Sequence, residues 1–353
     1  MAIPLSRRIF GTFDRTPREA GAAPSDALSG RYDVTLFVAA LALVVVGSLL
    51  VFSTTGRLAQ GVSVADPLYH VKHLALLFSA GALFFVVALK VPMHWIRAAG
   101  PILMPVSIAL LIGVAVFGSS RFGARRWYDL GFINVQPSEV AKVAFALYLA
   151  RYMAARRTIL NDFLSGILPV GLMYVLPAML LAIQPDVGSV VLMGALLVAM
   201  LVVGGTRVKL LGQSALVLVV GIVILILSQP EKMARFVGWF FPEATRMGEG
   251  YQVYQAQILV GSGGLLGSGL GGGVNHMLGY LPQSANDFIF AVAGEELGFV
   301  GVCAVVLLYV VIGLRGFAIA RMCRDDFMRF AAFSLTLLLV MPAFVHMAVD
   351  LGL

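Results

Sequence analysis

The sequence predicts an all-α polytopic membrane protein with about nine spans. The chain of 353 residues is 60% hydrophobic and only 12% charged, whereas soluble domains carry about 25% charged residues. Its mean hydropathy is +0.94, and apolar runs of about 20 residues, the length that a helix needs to cross a bilayer, recur along it. The predicted spans cover residues 33–54, 70–89, 98–118, 136–153, 164–184, 186–204, 208–228, 288–314 and 328–349.

Two stretches lie outside these spans and divide the chain. Residues 1–31 are polar and arginine-rich, and they lack the apolar core of a signal peptide. We therefore expect a disordered, basic cytoplasmic tail at 1–31 in front of a transmembrane domain at 32–353. The longest stretch without a span, 229–287, is expected to be a large loop between spans seven and eight.

The distribution of basic residues predicts the orientation in the membrane. With the amino terminus in the cytoplasm, most lysines and arginines lie in cytoplasmic segments, as the positive-inside rule requires, and the loop 229–287 faces outside. The net charge of +7 then reflects topology, and we expect no nucleic-acid partner. Arg121, Arg125 and Arg126 lie on the outer side against this rule, either because they meet an anion or by ordinary scatter.

The outer loop contains three recognisable parts. Residues 232–241 are aromatic and suit the membrane interface, and 251–260 have the pattern of an amphipathic helix. Glycines dominate 261–273, where they either let backbone approach a bulky lipid-linked substrate or simply allow the loop to bend. A G-x-G-x-x-G match at 267–272 follows no strand, so dinucleotide binding is excluded.

The stretch 280–301 turns from a polar loop into an apolar helix at Asp287. Small residues recur on the Asp287 face of this helix, which predicts close packing of another helix there. Glu295 and Glu296 follow at membrane depth, where a charge costs about 2.5–3.5 kcal/mol on insertion scales. We expect Glu295 to border a functional cavity and Glu296 to pack elsewhere. The alternative is a structural role, in which Asp287 only caps the helix start.

Two further polar clusters stand out among the apolar spans. Glu139 and Lys142 are three residues apart, so a helix would make them neighbours able to form an ion pair. Asp186 follows a tight hairpin at a helix start, where an acid is favoured by the helix dipole and can be only a cap. One shared outward cavity would limit the cost of these charges, and its predicted members are Arg126, Glu139, Lys142, Asp186, Asp287 and Glu295.

Familiar catalytic motifs are missing from the sequence. It contains no P-loop, no D-x-D, no H-E-x-x-H and no G-x-S-x-G. The histidines show no metal-ligand spacing beyond His70-x-x-His73, and the two cysteines imply neither a disulfide framework nor a metal site. Hydrolases with familiar triads and ATP-driven pumps are therefore unsupported.

Four segments occur in an order that is recognisable. They are GARRWYDLGFINVQPSEVAK, QPDVGS, EGYQVYQAQILVGSGGLLGSGLGGG and YLPQSANDFIFAVAGEELGFVG. Together they resemble the SEDS family of bacterial cell-envelope proteins, which comprises FtsW, RodA and SpoVE, and most of all its FtsW branch. The resemblance runs from about Asp33 to Leu353 and implies a SEDS-type helical bundle.

The resemblance implies a peptidoglycan glycosyltransferase of the inner membrane. Such proteins polymerise lipid II into glycan strands at the outer face of the cytoplasmic membrane, together with a class B penicillin-binding transpeptidase. The FtsW branch further implies cell division, a septal location and other divisome membrane proteins as partners. The essential acid of the family corresponds to Asp287, its polar cavity residues to Glu139 and Lys142, and two recurrent positions to Arg126 and Asp186.

The chain departs from the family pattern at two places. Ala285-Asn286 stands where family members usually have Thr or Ser before the acid. Family members also continue past the position of Leu353 with a proline-rich loop and a tenth span. We therefore expect a fragment or a truncated relative, in which activity is open to question.

The expected chemistry can be compared with these residues. A β-1,4 link formed from an α-linked lipid diphosphate is an inverting displacement, and a diphosphate leaves as an anion without needing an acid. One base for the acceptor hydroxyl and positive charge near the diphosphate are then the minimum. Asp287 suits the base, and Arg126, Lys142 or a divalent cation (Mg²⁺ or Mn²⁺) held by carboxylates suits the counter-charge.

Two other classes of function remain open from the sequence. A flippase or transporter for lipid-linked precursors would also use intramembrane charges such as Glu139, Lys142 and Glu295, although no clear inverted repeat is visible. An inactive scaffold that only recruits a transpeptidase is the other alternative.

Overall fold

A computed structural model of the chain describes residues 32–58, 69–121, 124–129, 134–273 and 286–353. The described residues form eleven α-helices and three short strands. In chain order the helices are α1 (Val34–Leu58), α2 (Tyr69–Lys90), α3 (Met93–Phe117), α4 (Pro137–Ala155), α5 (Leu168–Ile183, preceded by a π-helical turn at Phe163–Ile167), α6 (Val187–Val203), α7 (Val208–Leu227), α8 (Pro230–Phe240), α9 (Tyr251–Ser262), α10 (Ile289–Met322) and α11 (Asp326–Leu351).

The prediction of an all-α polytopic membrane protein is confirmed. Every predicted span coincides with a helix, namely α1 to α7, α10 and α11. Among the described residues, six helices are long and apolar enough to cross a membrane, and Phe78–Lys90 of α2 and all of α6 are shorter apolar helices. The predicted tail at 1–31 lies outside the described residues.

The helices divide into two compact units. The first contains Pro92–Ser228 and Gly316–Leu339, and the second contains Asp33–Val91, Gln229–Arg315 and Val340–Leu353. Each unit has its own buried apolar clusters.

The core of the first unit forms around α4. Phe145, Leu149 and Met153 of this helix are fully buried. At Gly100 of α3, an added Cβ would lie 2.9 Å from the carbonyl carbon of Leu147, so the missing side chain lets the backbones of α3 and α4 approach closely. This packing holds α4, whose first two turns carry Glu139 and Lys142.

A small antiparallel sheet precedes α4 and was not predicted from the sequence. Its strands are β1 (Ser119–Arg121), β2 (Ala124–Asp129) and β3 (Asn134–Val135), in that spatial order. The Tyr128 hydroxyl donates to the Leu110 carbonyl of α3 at 3.1 Å, which ties β2 to that helix. Strands this short leave no alternating pattern to detect, yet β2 is the element that carries Arg126.

The described part of the loop between α7 and α10 contains two helices. The predicted aromatic segment forms α8, where the ring centroids of Phe236 and Phe240 lie 4.8 Å apart, and the predicted amphipathic segment forms α9. Ala256 and Leu259 of α9 share a buried cluster with Phe288 and with residues of the first turn of α10. Helix α9 therefore packs against the segment that carries Asp287.

An ion pair fixes the start of α1 in the second unit. The Arg315 guanidinium donates to Asp33 through Nε at 3.0 Å and Nη2 at 2.6 Å. The Asp33 carboxylate also caps α1 by accepting from the Leu36 amide at 2.9 Å. These interactions, with the Arg315 hydrogen bond the largest, hold the pKa of Asp33 below its usual range.

Candidate functional site

The predicted site residues belong to both units. Arg126, Glu139, Lys142 and Asp186 lie in the first unit, whereas Asp287 and Glu295 lie in the second. The surroundings of each set are therefore described within its own unit.

Arg126 holds the hairpin between α5 and α6. Its Nε donates to the Gln184 carbonyl at 2.8 Å and its Nη2 to the Pro185 carbonyl at 2.6 Å. The buried Gln184 amide in turn donates to the Leu111 carbonyl at 2.9 Å. Because these bonds use the planar fork of the guanidinium, Arg126 has a clear structural role, and an additional role toward an anion stays a prediction.

Asp186 caps α6, as the sequence allowed. Its Oδ1 accepts from the Ser189 amide at 3.2 Å and its Oδ2 from the Ser189 hydroxyl at 2.8 Å. This is the position where an N-cap acid satisfies otherwise unpaired amides. The cap accounts for an acid at this position without a substrate, so substrate binding by Asp186 stays a prediction.

Glu139 and Lys142 form the predicted ion pair on α4. Lys142 Nζ lies 2.7 Å from Glu139 Oε1, and the Lys142 side chain is 10% exposed whereas that of Glu139 is 62% exposed. Pro137 begins the helix, and Glu139 lies in its first turn, where the dipole favours an acid. The neighbouring Ser138 hydroxyl is buried and has no hydrogen-bond partner among the described residues; nothing in the sequence pattern singled it out.

A cavity of about 280 Å³ in the second unit contains Asp287. Asp287 lies in the turn just before α10 and is exposed. The polar lining residues are Asn286, Asp287, Tyr309, His346 and Asp350, and the rest of the wall is formed mainly by apolar residues such as Leu50, Phe290 and Met347. A carboxylate at a helix start in a small, mostly apolar cavity is a typical arrangement for a binding or catalytic site.

Two lining residues were missed by the sequence analysis. His346 and Asp350 lie on the last two turns of α11 and share the cavity with Asp287. Their spacing of four residues places them on one helix face, which is the signal that could have found them. In the sequence they read only as the end of an apolar span.

Helix α10 is broken at Gly298 (φ 67°, ψ −170°). The backbone of the glycine-rich segment after α9 forms hydrogen bonds with α10 on both sides of this break. At such a break, carbonyl groups before it and amide groups after it lose their helical partners. The Ser268 and Gly269 amides donate to the Glu295 and Glu296 carbonyls at 2.9 and 3.0 Å. Across the break, the Phe299 and Val300 amides donate to the Gly264 and Leu265 carbonyls at 2.9 and 3.2 Å.

These contacts explain why the segment 261–273 is rich in glycine. A Cβ at Gly267 would lie 2.5 Å from the Glu296 carbonyl carbon, so glycine is needed for backbone to approach backbone. The predicted close packing on the Asp287 face occurs at Gly294, where a Cβ would lie 2.9 Å from the Cα of Val260 in α9. The segment thus supports the helix that follows Asp287.

Glu295 and Glu296 are both buried, at 2% and 1% exposure. The Ser53 hydroxyl donates to Glu296 Oε1, in agreement with packing away from the cavity. Glu295 is not among the residues that line the Asp287 cavity, so the prediction that it borders this cavity is not supported, and a role toward substrate stays a prediction.

A metal ion bound by protein alone needs several His, Cys, Asp or Glu side chains close together. Within the described ranges, no group of three or more His, Cys, Asp or Glu side chains is arranged to hold one. The residues thus offer no preformed protein cage, and a divalent cation bound jointly with a substrate diphosphate stays a prediction.

Comparisons with known proteins extend these observations. The sequence profile of the family described as "Cell cycle protein" (FtsW, RodA, SpoVE) matches residues 33–353. A probable peptidoglycan glycosyltransferase FtsW of Geobacter sp. (strain M18) is 34% identical over 325 residues, which is 91% of this chain and 88% of that protein. The corresponding protein of Escherichia coli O6:H1 is 36% identical over 307 residues, 86% of this chain and 72% of that protein.

Solved structures show the same fold. A chain from a study of the structural coordination of polymerization and crosslinking by a peptidoglycan synthase complex matches with a TM-score of 0.71 and 26% identity, over 91% of this chain and 88% of that chain. The rod shape determining protein RodA of Thermus thermophilus matches with a TM-score of 0.64 and 25% identity, over 91% and 86% of the two chains.

Proposed function

Because this chain belongs to the cell cycle protein family of FtsW, RodA and SpoVE, we propose that it is a peptidoglycan glycosyltransferase that polymerises lipid II with Asp287 as its base. The observation that carries the proposal is the exposed Asp287 carboxylate in a small cavity at the start of α10. Similarity to glycosyltransferases named FtsW over most of the chain supports the reaction class.

The reaction needs one proton acceptor. The C4 hydroxyl of the acceptor sugar attacks C1 of the donor sugar, and its proton passes to the Asp287 carboxylate. The bond between C1 and the diphosphate oxygen breaks, and its electron pair leaves with the lipid diphosphate. Attack on the face opposite the leaving group inverts an α-linked donor into a β-linked product, and no acid is required because the diphosphate is a stable anion.

The charge of the leaving diphosphate must be balanced. Lys142 and Arg126 are our proposed sources of positive charge, and a divalent cation such as Mg²⁺ or Mn²⁺ is a third. Lys142 suits this task because it is largely buried and, among the described residues, its ammonium group bonds only to Glu139. Glu139, Asp186 and Glu295 are proposed to support substrate binding.

The partners and the location follow from the same assignment. We propose that the chain works with a class B penicillin-binding transpeptidase, since a structural relative comes from work on a synthase complex that couples polymerization to crosslinking. Because the chain is similar to proteins named FtsW, we propose that it acts with other divisome proteins at the septum of the inner membrane, with its amino terminus in the cytoplasm.

The decisive experiment measures glycan polymer formation from lipid II by the purified chain together with its transpeptidase. Asp287→Ala should abolish polymer while leaving thermal unfolding unchanged, because Asp287 is exposed. Asp162→Asn is the matched control: Asp162 caps the turn at Phe163–Ile167, and asparagine preserves that cap.

The possible results separate the candidate functions. Normal polymerisation by Asp287→Ala would refute the base assignment. Transfer of lipid II across vesicle bilayers without polymer, by the wild-type chain, would instead identify a flippase. Co-purification with the transpeptidase without either activity would identify a scaffold.

A further inference from the structure

Asp350 is an unusual residue for its position. It lies in the last turn of α11, where the helix dipole disfavours an acid, and it is fully buried. A buried carboxyl is costly unless its oxygens are hydrogen-bonded.

One oxygen of Asp350 has a clear partner. Oδ2 accepts from the Ala291 amide in the first turn of α10 at 3.1 Å. The partial positive charge at the N-terminus of α10 thereby offsets the partial negative charge that the C-terminus of α11 places around Asp350. This bond also fixes the turn that follows Asp287, because it joins α11 to the helix that Asp287 begins.

The end of α11 is itself well fixed. Gly352 adopts a left-handed conformation with φ 71°, and the Leu353 amide donates to the Ala348 carbonyl at 2.8 Å, which closes the helix. Gln257 of α9 donates to the Leu351 carbonyl at 3.4 Å. These hydrogen bonds anchor the end of α11 that carries Asp350.

The other oxygen of Asp350 is different. Oδ1 is buried and has no hydrogen-bond partner among the described residues. Asp350 lines the same cavity as Asp287, Asn286 and His346. A buried acceptor that is left unsatisfied in a cavity beside the reactive carboxylate is complementary to a ligand that brings a hydrogen-bond donor.

We propose that Asp350 is a second substrate-binding residue of the Asp287 cavity, where Oδ1 accepts a hydrogen bond from a hydroxyl or amide N–H of a lipid II sugar. This inference rests on the proposed function and deepens it. Sugars carry many such donors on their hydroxyl and amide groups. Asp287 takes the proton of the reacting hydroxyl, whereas Asp350 helps to hold the ring in place.

Replacement by asparagine separates the two oxygens of Asp350. In Asp350→Asn the side-chain carbonyl must face the Ala291 amide, since only an oxygen can accept that bond. The NH₂ group then occupies the place of Oδ1 and removes the acceptor for the sugar. The bond that holds α10 survives, so a purely structural role predicts no change.

The test measures initial rates of polymer formation at several lipid II concentrations and the binding of lipid II to the detergent-solubilised protein. We expect Asp350→Asn to unfold at the wild-type temperature but to lose about tenfold or more in kcat/KM, with a matching loss of affinity for lipid II. Asp350→Leu, which loses both bonds, should in addition lower the unfolding temperature. Asp162→Asn should match the wild type in all three measurements.

The outcomes distinguish this inference from the function on which it rests. Wild-type rates and affinity in a stable Asp350→Asn would overturn the role of Asp350 alone, as would a loss of activity that is fully explained by lower thermal stability. Failure of the wild-type chain to bind lipid II or form polymer from it would overturn the proposed function and, with it, this inference.

Discussion

Lys142 Nζ and Glu139 Oε1 are 2.7 Å apart, yet the lysine side chain is buried and the glutamate side chain is mostly exposed. Replacing one residue of the pair should therefore change the free energy of unfolding by a different amount than replacing the other. Removing the glutamate leaves a buried cation without its partner, whereas removing the lysine leaves an acid that water can solvate.

Glu139→Gln should accordingly be the more destabilising of two matched variants. We expect a loss of about 1–2 kcal/mol in the free energy of unfolding, below the usual range for a fully buried pair because Glu139 is solvated. Lys142→Met should cost less stability but abolish polymerisation if Lys142 meets the diphosphate. Thermal unfolding in detergent and polymer yield test both, and equal stability losses in the two variants would contradict the asymmetry.

The structural role of Arg126 can be tested by comparing its substitution to lysine with the same substitution at its neighbour Arg125. A lysine at position 126 cannot donate to both the Gln184 and Pro185 carbonyls, so Arg126→Lys should lower stability by about 1–2 kcal/mol. Arg125 is exposed, and among the described residues its side chain makes one hydrogen bond, of 3.4 Å to the Val116 carbonyl, so Arg125→Lys should be neutral. A drop in polymer yield beyond the stability loss in Arg126→Lys would reveal a separate role toward an anion.

Gly298 should tolerate no side chain. Its backbone conformation is one that only glycine adopts readily, and an added Cβ would lie 2.7 Å from the Leu265 carbonyl oxygen. We expect Gly298→Ala to destabilise by about 2–4 kcal/mol. Gly261→Ala, in α9 with open space around it, should be neutral or slightly stabilising. Similar unfolding temperatures for the two variants would refute the account of the break.

The bond between Asp33 and Arg315 predicts a dependence on pH. The folded-state pKa of Asp33 lies below its ordinary value of 3.8, so its ionised form is favoured by folding. The contribution to stability is therefore full above the ordinary value and is lost as the pH falls through the folded pKa.

The variant Asp33→Asn isolates this contribution. The wild type should unfold at a higher temperature than the variant at pH 6, and the difference should shrink as the pH is lowered below about 4. Thermal unfolding in detergent over this range gives the comparison. A difference that is constant with pH would show that the carboxylate charge contributes nothing.

The sequence predicted the architecture because membrane helices leave a strong signal. Long apolar runs locate α2, α6 and α7 within one residue at each end, and the ion pair of Glu139 and Lys142 follows from helical spacing. Asp287 was found because an acid at a helix entry interrupts such a run. The role of Asp186 as a cap was likewise visible from its place after a tight hairpin.

The remainder depends on contacts between residues that are distant in sequence. Asp350 is 59 residues from Ala291, and no local pattern connects them. The glycines of 261–273 were interpreted as giving flexibility or access, whereas their backbone pairs with that of α10. Glu295 was assigned to the cavity from a helical wheel, which places residues around an axis but does not report which neighbours cover them.

The break at Gly298 also changes how deep the acidic residues lie in the membrane. From Phe299 to Leu314, the last residue before the charged Arg315, there are 16 residues, which at a rise of about 1.5 Å each extend about 24 Å. Crossing a hydrocarbon core of about 30 Å then requires only about one further turn on the other side of the break. Glu295 and Glu296 lie in that turn and therefore close to the water boundary, where the penalty for holding a carboxylate is much smaller than at the bilayer centre.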